Sequence, residues 1–126
     1  MYMAQKILVA EDEQPLATAL QLKLASAGYD VHVVGDGQEA LDALAKDTFD
    51  LLILDLVMPK LDGFAVLEKI DNSIAGMRIM VLSNLGQEED RKRVFSYGVT
   101  EYYVKSDTPI KEIIDRVKII LAHGTA

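Results

Sequence analysis

Five short apolar runs, each followed by a segment of helical period, predict an α/β fold in which helices cover both faces of a parallel five-stranded sheet. The runs are brief, aliphatic and largely unbroken by polar residues, as strands buried on both faces are. Proline and glycine fall where helices should begin and end. Strict alternation implies right-handed crossovers, and hence a (βα)5 three-layer sandwich. The expected domain is the whole chain, 1–126, with its core over about 6–122.

Ile7 to Ala10 reads as the first strand, and Glu11 and Asp12 follow it. Pro15 to Ala27, ending at Gly28, places Leu16, Leu20 and Leu24 on one face and so reads as a helix with proline in its first turn. Val31 to Val34 is the second strand and Gln38 to Lys46 the second helix. Leu51 to Leu54, the third strand, runs directly into Asp55; Pro59 falls in the following loop, Asp62-Gly63 forms a turn and cap, and Phe64 to Ile70 is the third helix. Ile79 to Leu82 is the fourth strand, ending at Ser83, and Gln87 to Tyr97 a fourth helix ending at Gly98. Tyr102 to Val104 is the fifth strand, ending at Lys105. Pro109 opens the last helix, Ile110 to Ala122, with Asp107 or Thr108 as its cap and Ile113, Val117 and Ile120 or Leu121 on its apolar face. His123 to Ala126 reads as a frayed tail.

Composition limits what such a domain can do. Half of the 126 residues are hydrophobic, enough for one core that buries about two-thirds of the unfolded surface. The 13 basic and 20 acidic residues give a net charge of -7, which opposes binding to nucleic acid or an anionic membrane. With no cysteine there are neither disulfides nor thiolate metal sites, compatible with a reducing compartment. The start, Met1 to Lys6, lacks the features of a signal peptide, and no apolar run approaches the roughly 20 residues of a membrane span. A cytoplasmic protein is the expectation.

Ligands of open parallel sheets bind beyond the carboxyl ends of the strands, where strand order reverses. Four of the five expected strands end there in polar groups: Glu11 and Asp12, Asp55, Ser83 and Lys105. In the flavodoxin-like order 2-1-3-4-5, strands one and three are neighbours, so Asp12 and Asp55 would lie side by side. Three carboxylates so close repel one another unless they are protonated or share a cation. Oxygen donors without histidine or cysteine point to Mg2+, with the Val57 carbonyl as a backbone ligand. A carboxylate nucleophile such as Asp55 can hold a phosphoryl group covalently.

These residues resemble the receiver domain of a two-component response regulator. The resemblance rests on Glu11-Asp12, Asp55 in Leu54-Asp55-Leu56-Val57-Met58-Pro59, Asp62-Gly63, Ser83, and the Tyr102 to Lys105 stretch, in that order across residues 6–122. It implies that Asp55 accepts a phosphoryl group from a histidine kinase or histidine phosphotransfer protein. It also implies that Asp12 and Asp55 ligate Mg2+, with Glu11 acting directly or through water, and that Ser83 and Lys105 respond to the phosphate. Tyr102 occupies the position of the family's switch aromatic, so the surface of the fourth helix, fifth strand and fifth helix should change and engage a downstream protein. By resemblance the first helix and the loop after Lys105 dock the kinase. With one helix after the fifth strand, the chain is expected to be a stand-alone regulator or a fragment of a longer one.

Three positions depart from the family pattern. Asn84 follows Ser83 where a small residue is usual, and it either narrows access to the phosphate or adds a hydrogen bond. Ser106 follows Lys105 where a cis proline is common, so a trans bond is expected. Val57 and Leu85, both apolar, are expected to flank and shield the path by which water attacks the phosphate, giving slow autodephosphorylation.

Plainer roles compete at each residue. Asp12 or Glu13 could cap a helix, Ser83 could bond only to backbone, Tyr102 could be static packing and Lys105 a solvated lysine. Arg91-Lys92-Arg93 reads as a solvated helix face, and His32 and His123 receive no role. A dehalogenase-type phosphatase needs an acid where Val57 stands, and a flavin carrier a phosphate loop where Glu11-Asp12-Glu13 stands. A pseudo-receiver acting only through protein contacts is the main alternative function.

Overall fold

The computed structural model describes residues 3–70, 76–99 and 101–122. The expected tail, with His123, lies outside them. The strands are β1 Lys6–Ala10, β2 Asp30–Val34, β3 Leu51–Leu54, β4 Arg78–Ser83 and β5 Glu101–Val104. The helices are α1 Gln14–Ser26, α2 Gly37–Lys46, α3 Gly63–Ile70, α4 Glu88–Phe95 and α5 Ile110–Ala122. All four strand pairings are parallel and the order is β2-β1-β3-β4-β5, the expected doubly wound arrangement.

The two-residue period of the strands divides the core into two. Leu8, Ala10, Leu52, Leu54 and Val81 point to one face, where Ala40 of α2, Phe64 and Leu67 of α3 and Val94 of α4 cover them. Ile7, Val9, Leu51, Ile53, Met80 and Leu82 point to the other, against Leu20 and Leu24 of α1 and Ile113 and Val117 of α5. β3 is buried along its whole length, as its four aliphatic residues require.

Departures from expectation are confined to element ends. α4 stops at Phe95 rather than Tyr97: the Ser96 hydroxyl donates to the Arg93 carbonyl, and the Tyr97 and Gly98 N–H groups to Val94 and Phe95, tightening the end into a turn. Lys105–Asp107 forms a single 3-10 turn that periodicity could not register. Thr108 differs from its expected capping role, because its hydroxyl donates back to the Val104 carbonyl at 2.9 Å, while the Pro109 carbonyl accepts the Glu112 and Ile113 N–H groups.

Candidate functional site

Backbone pairing carries two acids to the same edge. β1 and β3 pair through Ala10 and Leu54, and the ladder continues as the Asp55 N–H donates to the Ala10 carbonyl at 3.1 Å. On the other side of β1 the Glu11 N–H donates to the Val34 carbonyl at 3.0 Å. Glu11 and Asp55 therefore emerge side by side from the buried centre of the sheet, 2% and 4% exposed, while Asp12 stands out in solvent.

Lys105 crosses from the end of β5 to meet them. Its Nζ lies 2.9 Å from Asp55 Oδ2, 2.9 Å from Glu11 Oε1 and 3.2 Å from Glu13 Oε1. Its side chain is only 8% exposed, which excludes the solvated-lysine alternative. Burial alone would lower its pKa, but hydrogen bonds to Glu11 and Asp55 outweigh this and hold the ammonium well above its ordinary value. Burial pushes the Glu11 carboxyl from 4.5 up to about 7, against the lowering effects of Lys105 and of the Glu13 N–H, which Glu11 Oε2 accepts at 3.0 Å. Glu13 was missed as a lysine partner; the run Glu11-Asp12-Glu13 was its signal.

One ammonium cannot balance these acids. Ligand oxygens of Glu11, Asp12 and Asp55 lie within 4.8 Å of one another, and all are hard oxygen donors, so the residues fit Mg2+. The pocket is lined by Asp12, Glu13, Asp55, Val57, Ser83, Asn84 and Lys105.

The loop after Asp55 is built for close packing. The Val57 N–H donates to Asp55 Oδ1 at 3.2 Å, turning the carboxylate toward the loop. A Cβ on Gly63 would lie 2.4 Å from the Asp55 carbonyl oxygen, so only glycine lets α3 start there. Asp62 has its expected capping role, accepting the Ala65 N–H at 2.8 Å. Asp36, a cap the sequence reading overlooked, accepts the Glu39 N–H at 2.8 Å and starts α2. Gly37 then passes the same loop so closely that a Cβ would meet the Leu61 carbonyl oxygen at 2.0 Å.

Ser83 is fully buried, and its Oγ accepts the Leu85 N–H over a long 3.4 Å. Leu85 does not share the pocket wall with Val57 as expected: it packs against the core cluster that includes Val94 and Tyr102, and Asn84 takes the lining position. Val57, 57% exposed, does line the pocket. The Lys105–Ser106 peptide is trans, as expected.

Tyr102 lies away from the acids and points inward. Its hydroxyl donates to the Leu85 carbonyl, its ring meets Phe95 edge-on at 6.3 Å, and the Arg91 guanidinium stands 4.8 Å over the ring. Arg93 similarly covers Phe64 at 4.1 Å, so this basic run is not simply solvated.

Comparison with known proteins agrees with this architecture. The family model for the response regulator receiver domain matches residues 7–118. The chain is 37% identical over 119 residues to the alkaline phosphatase synthesis transcriptional regulatory protein PhoP of Bacillus subtilis, covering 94% of this chain and 49% of that protein. The chain thus spans about half the length of the curated relatives it matches. Among solved structures it resembles the receiver domain of the Francisella response regulator 1452, with a TM-score of 0.85, 30% identity, and coverage of 94% of this chain and 98% of that one. A CheY-like receiver domain protein from Methanospirillum hungatei gives a TM-score of 0.88 at 20% identity, covering 96% of each chain, and shows the fold. With its doubly wound sheet, its acidic edge and this match over most of its length, the chain belongs to the response regulator receiver domain family.

Proposed function

We propose that the chain is a phosphorylation-dependent signalling switch whose phospho-acceptor is Asp55. The observation that carries this reading is the contact of Lys105 Nζ with Asp55 Oδ2 at 2.9 Å, in a pocket where Glu11 and Asp12 supply further carboxylates. One Asp55 carboxylate oxygen forms the new O–P bond while the P–N bond of a phosphohistidine, on a kinase or a histidine phosphotransfer protein, breaks and its electron pair returns to the imidazole nitrogen. Lys105 holds Asp55 in place and then meets a phosphoryl oxygen, and the Ser83 hydroxyl turns to donate to another. Glu11, Asp12, Asp55 and the Val57 carbonyl are the proposed ligands of Mg2+. When bound, that ion supplies charge neutralisation for the transferring phosphoryl group.

Receiver domains are signalling modules, and we assign this chain no turnover of a separate substrate. Residues 1–126 act as one such module, cytoplasmic, with a protein as the downstream target. No described helix is long and apolar enough to cross a membrane. Tyr102 is the switch: its inward pose depends on the Leu85 carbonyl, which belongs to the loop that Ser83 would pull inward.

Incubation with Mg2+ and a small phosphodonor, read by intact mass, tests the assignment. The mass of one phosphoryl group should appear on the wild-type chain and be absent from Asp55→Asn. If the wild-type mass stays unchanged and beryllofluoride leaves its spectrum unaltered, the pseudo-receiver reading holds instead.

A further inference from the structure

The loop that follows Ser83 and the turn that carries Lys105 leave neighbouring strands. Their backbone ladder ends where Ser83 pairs with Val104. One residue further, the Asn84 side chain continues the pairing, its Oδ1 accepting the Ser106 N–H at 3.1 Å. That N–H lies in the first turn of the 3-10 segment, where helical backbone offers it no acceptor. The loop touches β5 at two more points: the Leu85 carbonyl accepts the Tyr102 hydroxyl, and a Cβ on Gly86 would lie 3.3 Å from Val104 Cγ2. Of these ties, the Asn84 bond is the one that reaches beyond the strand, to the residue that follows Lys105.

We propose that Asn84 is a positioning residue for phosphoryl transfer, acting through Ser106 to fix the backbone from which Lys105 reaches Asp55. The inference rests on the phospho-acceptor reading of Asp55. It explains two unusual residues as one pair. A proline at 106 would have no N–H to give, and an alanine at 84 no oxygen to receive it. The amide is also neutral, so Asn84 can line the pocket without adding to its negative charge. The Asn84 Oδ1 is taken up by the Ser106 N–H, so the loss of Asn84 should alter how Lys105 is presented and leave Mg2+ affinity unchanged.

The test uses the full chain, with phosphoramidate as donor at saturating Mg2+, and reads amide exchange at Ser106 alongside the phosphorylation rate. Asn84→Ala is expected to speed Ser106 exchange and slow phosphorylation, each by about three- to tenfold, the worth of one such hydrogen bond. Mg2+ affinity measured by calorimetry should stay at the wild-type value. Asn84→Asp, which keeps the acceptor oxygen, should keep Ser106 protected. An Asn84→Ala chain that phosphorylates at the wild-type rate, exchanges Ser106 like wild type, or loses Mg2+ affinity in step with rate would overturn the positioning role. A wild-type chain that takes up no phosphoryl group would overturn the Asp55 reading and this role with it, whereas normal wild-type uptake confines a failure to Asn84.

Discussion

At the scale of single residues, Glu11 and Val57 make opposite kinds of prediction. Glu11 is 2% exposed, and burial, with Asp55 adding to it, holds its carboxyl at about 7 despite Lys105. Because the folded value lies above the unfolded 4.5, ionising Glu11 opposes folding; the cost is absent below about 4.5, grows as pH rises, and is complete above about 7. A shift of that size corresponds to about 3 kcal/mol. Denaturant titration of the metal-free chain should therefore find Glu11→Gln more stable than wild type by about 1 to 3 kcal/mol at about pH 8, and nearly equal to it at about pH 4. Equal stabilities at both pH values would remove the burial cost. Val57, exposed and on the pocket wall, offers water no hydrogen bond, so Val57→Asn should shorten the lifetime of the phosphorylated chain severalfold. Leu85→Glu should act instead by lowering stability, since Leu85 packs on the core. A phosphoryl half-life unaffected by Val57→Asn would end the shielding argument.

At the scale of elements, two glycines hold the Asp55 loop between α2 and α3. Gly63→Ala places a methyl carbon 2.4 Å from the Asp55 carbonyl oxygen, and backbone cannot yield as a side chain would. A loss of about 1 to 3 kcal/mol and slower phosphorylation are expected together. Asp36→Ala serves as the comparison, losing about 1 kcal/mol of helix capping and the Lys60 ion pair at 3.5 Å while leaving the close approach of Gly63 to Asp55 intact. If Gly63→Ala slows phosphorylation no more than Asp36→Ala does, the loop is not clamped as described. The elements themselves were legible in the sequence, because buried parallel strands and one-sided helices leave separate periods. The site residues were legible because each stands at a strand end, where register alone decides neighbours. What stayed hidden was the direction of side chains inside loops. Leu85 lies two residues past Ser83 as Val57 does past Asp55, yet the core claims one and the pocket the other. Equal spacing in sequence could not separate them, nor could it show Asn84 meeting Ser106 across two loops.

At the scale of the molecule, the sheet separates two cores, and the proposed signal must pass from the pocket to the surface of α4 and β5 without disturbing either. In Tyr102→Phe the ring can still pack against Phe95, but the bond to Leu85 is lost. Phosphorylation should persist, while the beryllofluoride-induced shifts along α4 become smaller, as NMR would record; shifts of wild-type size would make Tyr102 a packing residue only. Leu85 gives that passage a length. Its N–H rests on Ser83 and its carbonyl holds Tyr102, the two groups lying in successive peptide planes that meet at the Leu85 Cα. A hydroxyl that turns away to a new acceptor releases one end of a lever whose other end is the aromatic ring. Two rigid planes hinged at one Cα, whose side chain packs on the core, lie between them, so a turn at that hinge would carry the message from a buried serine to the outer face of the protein.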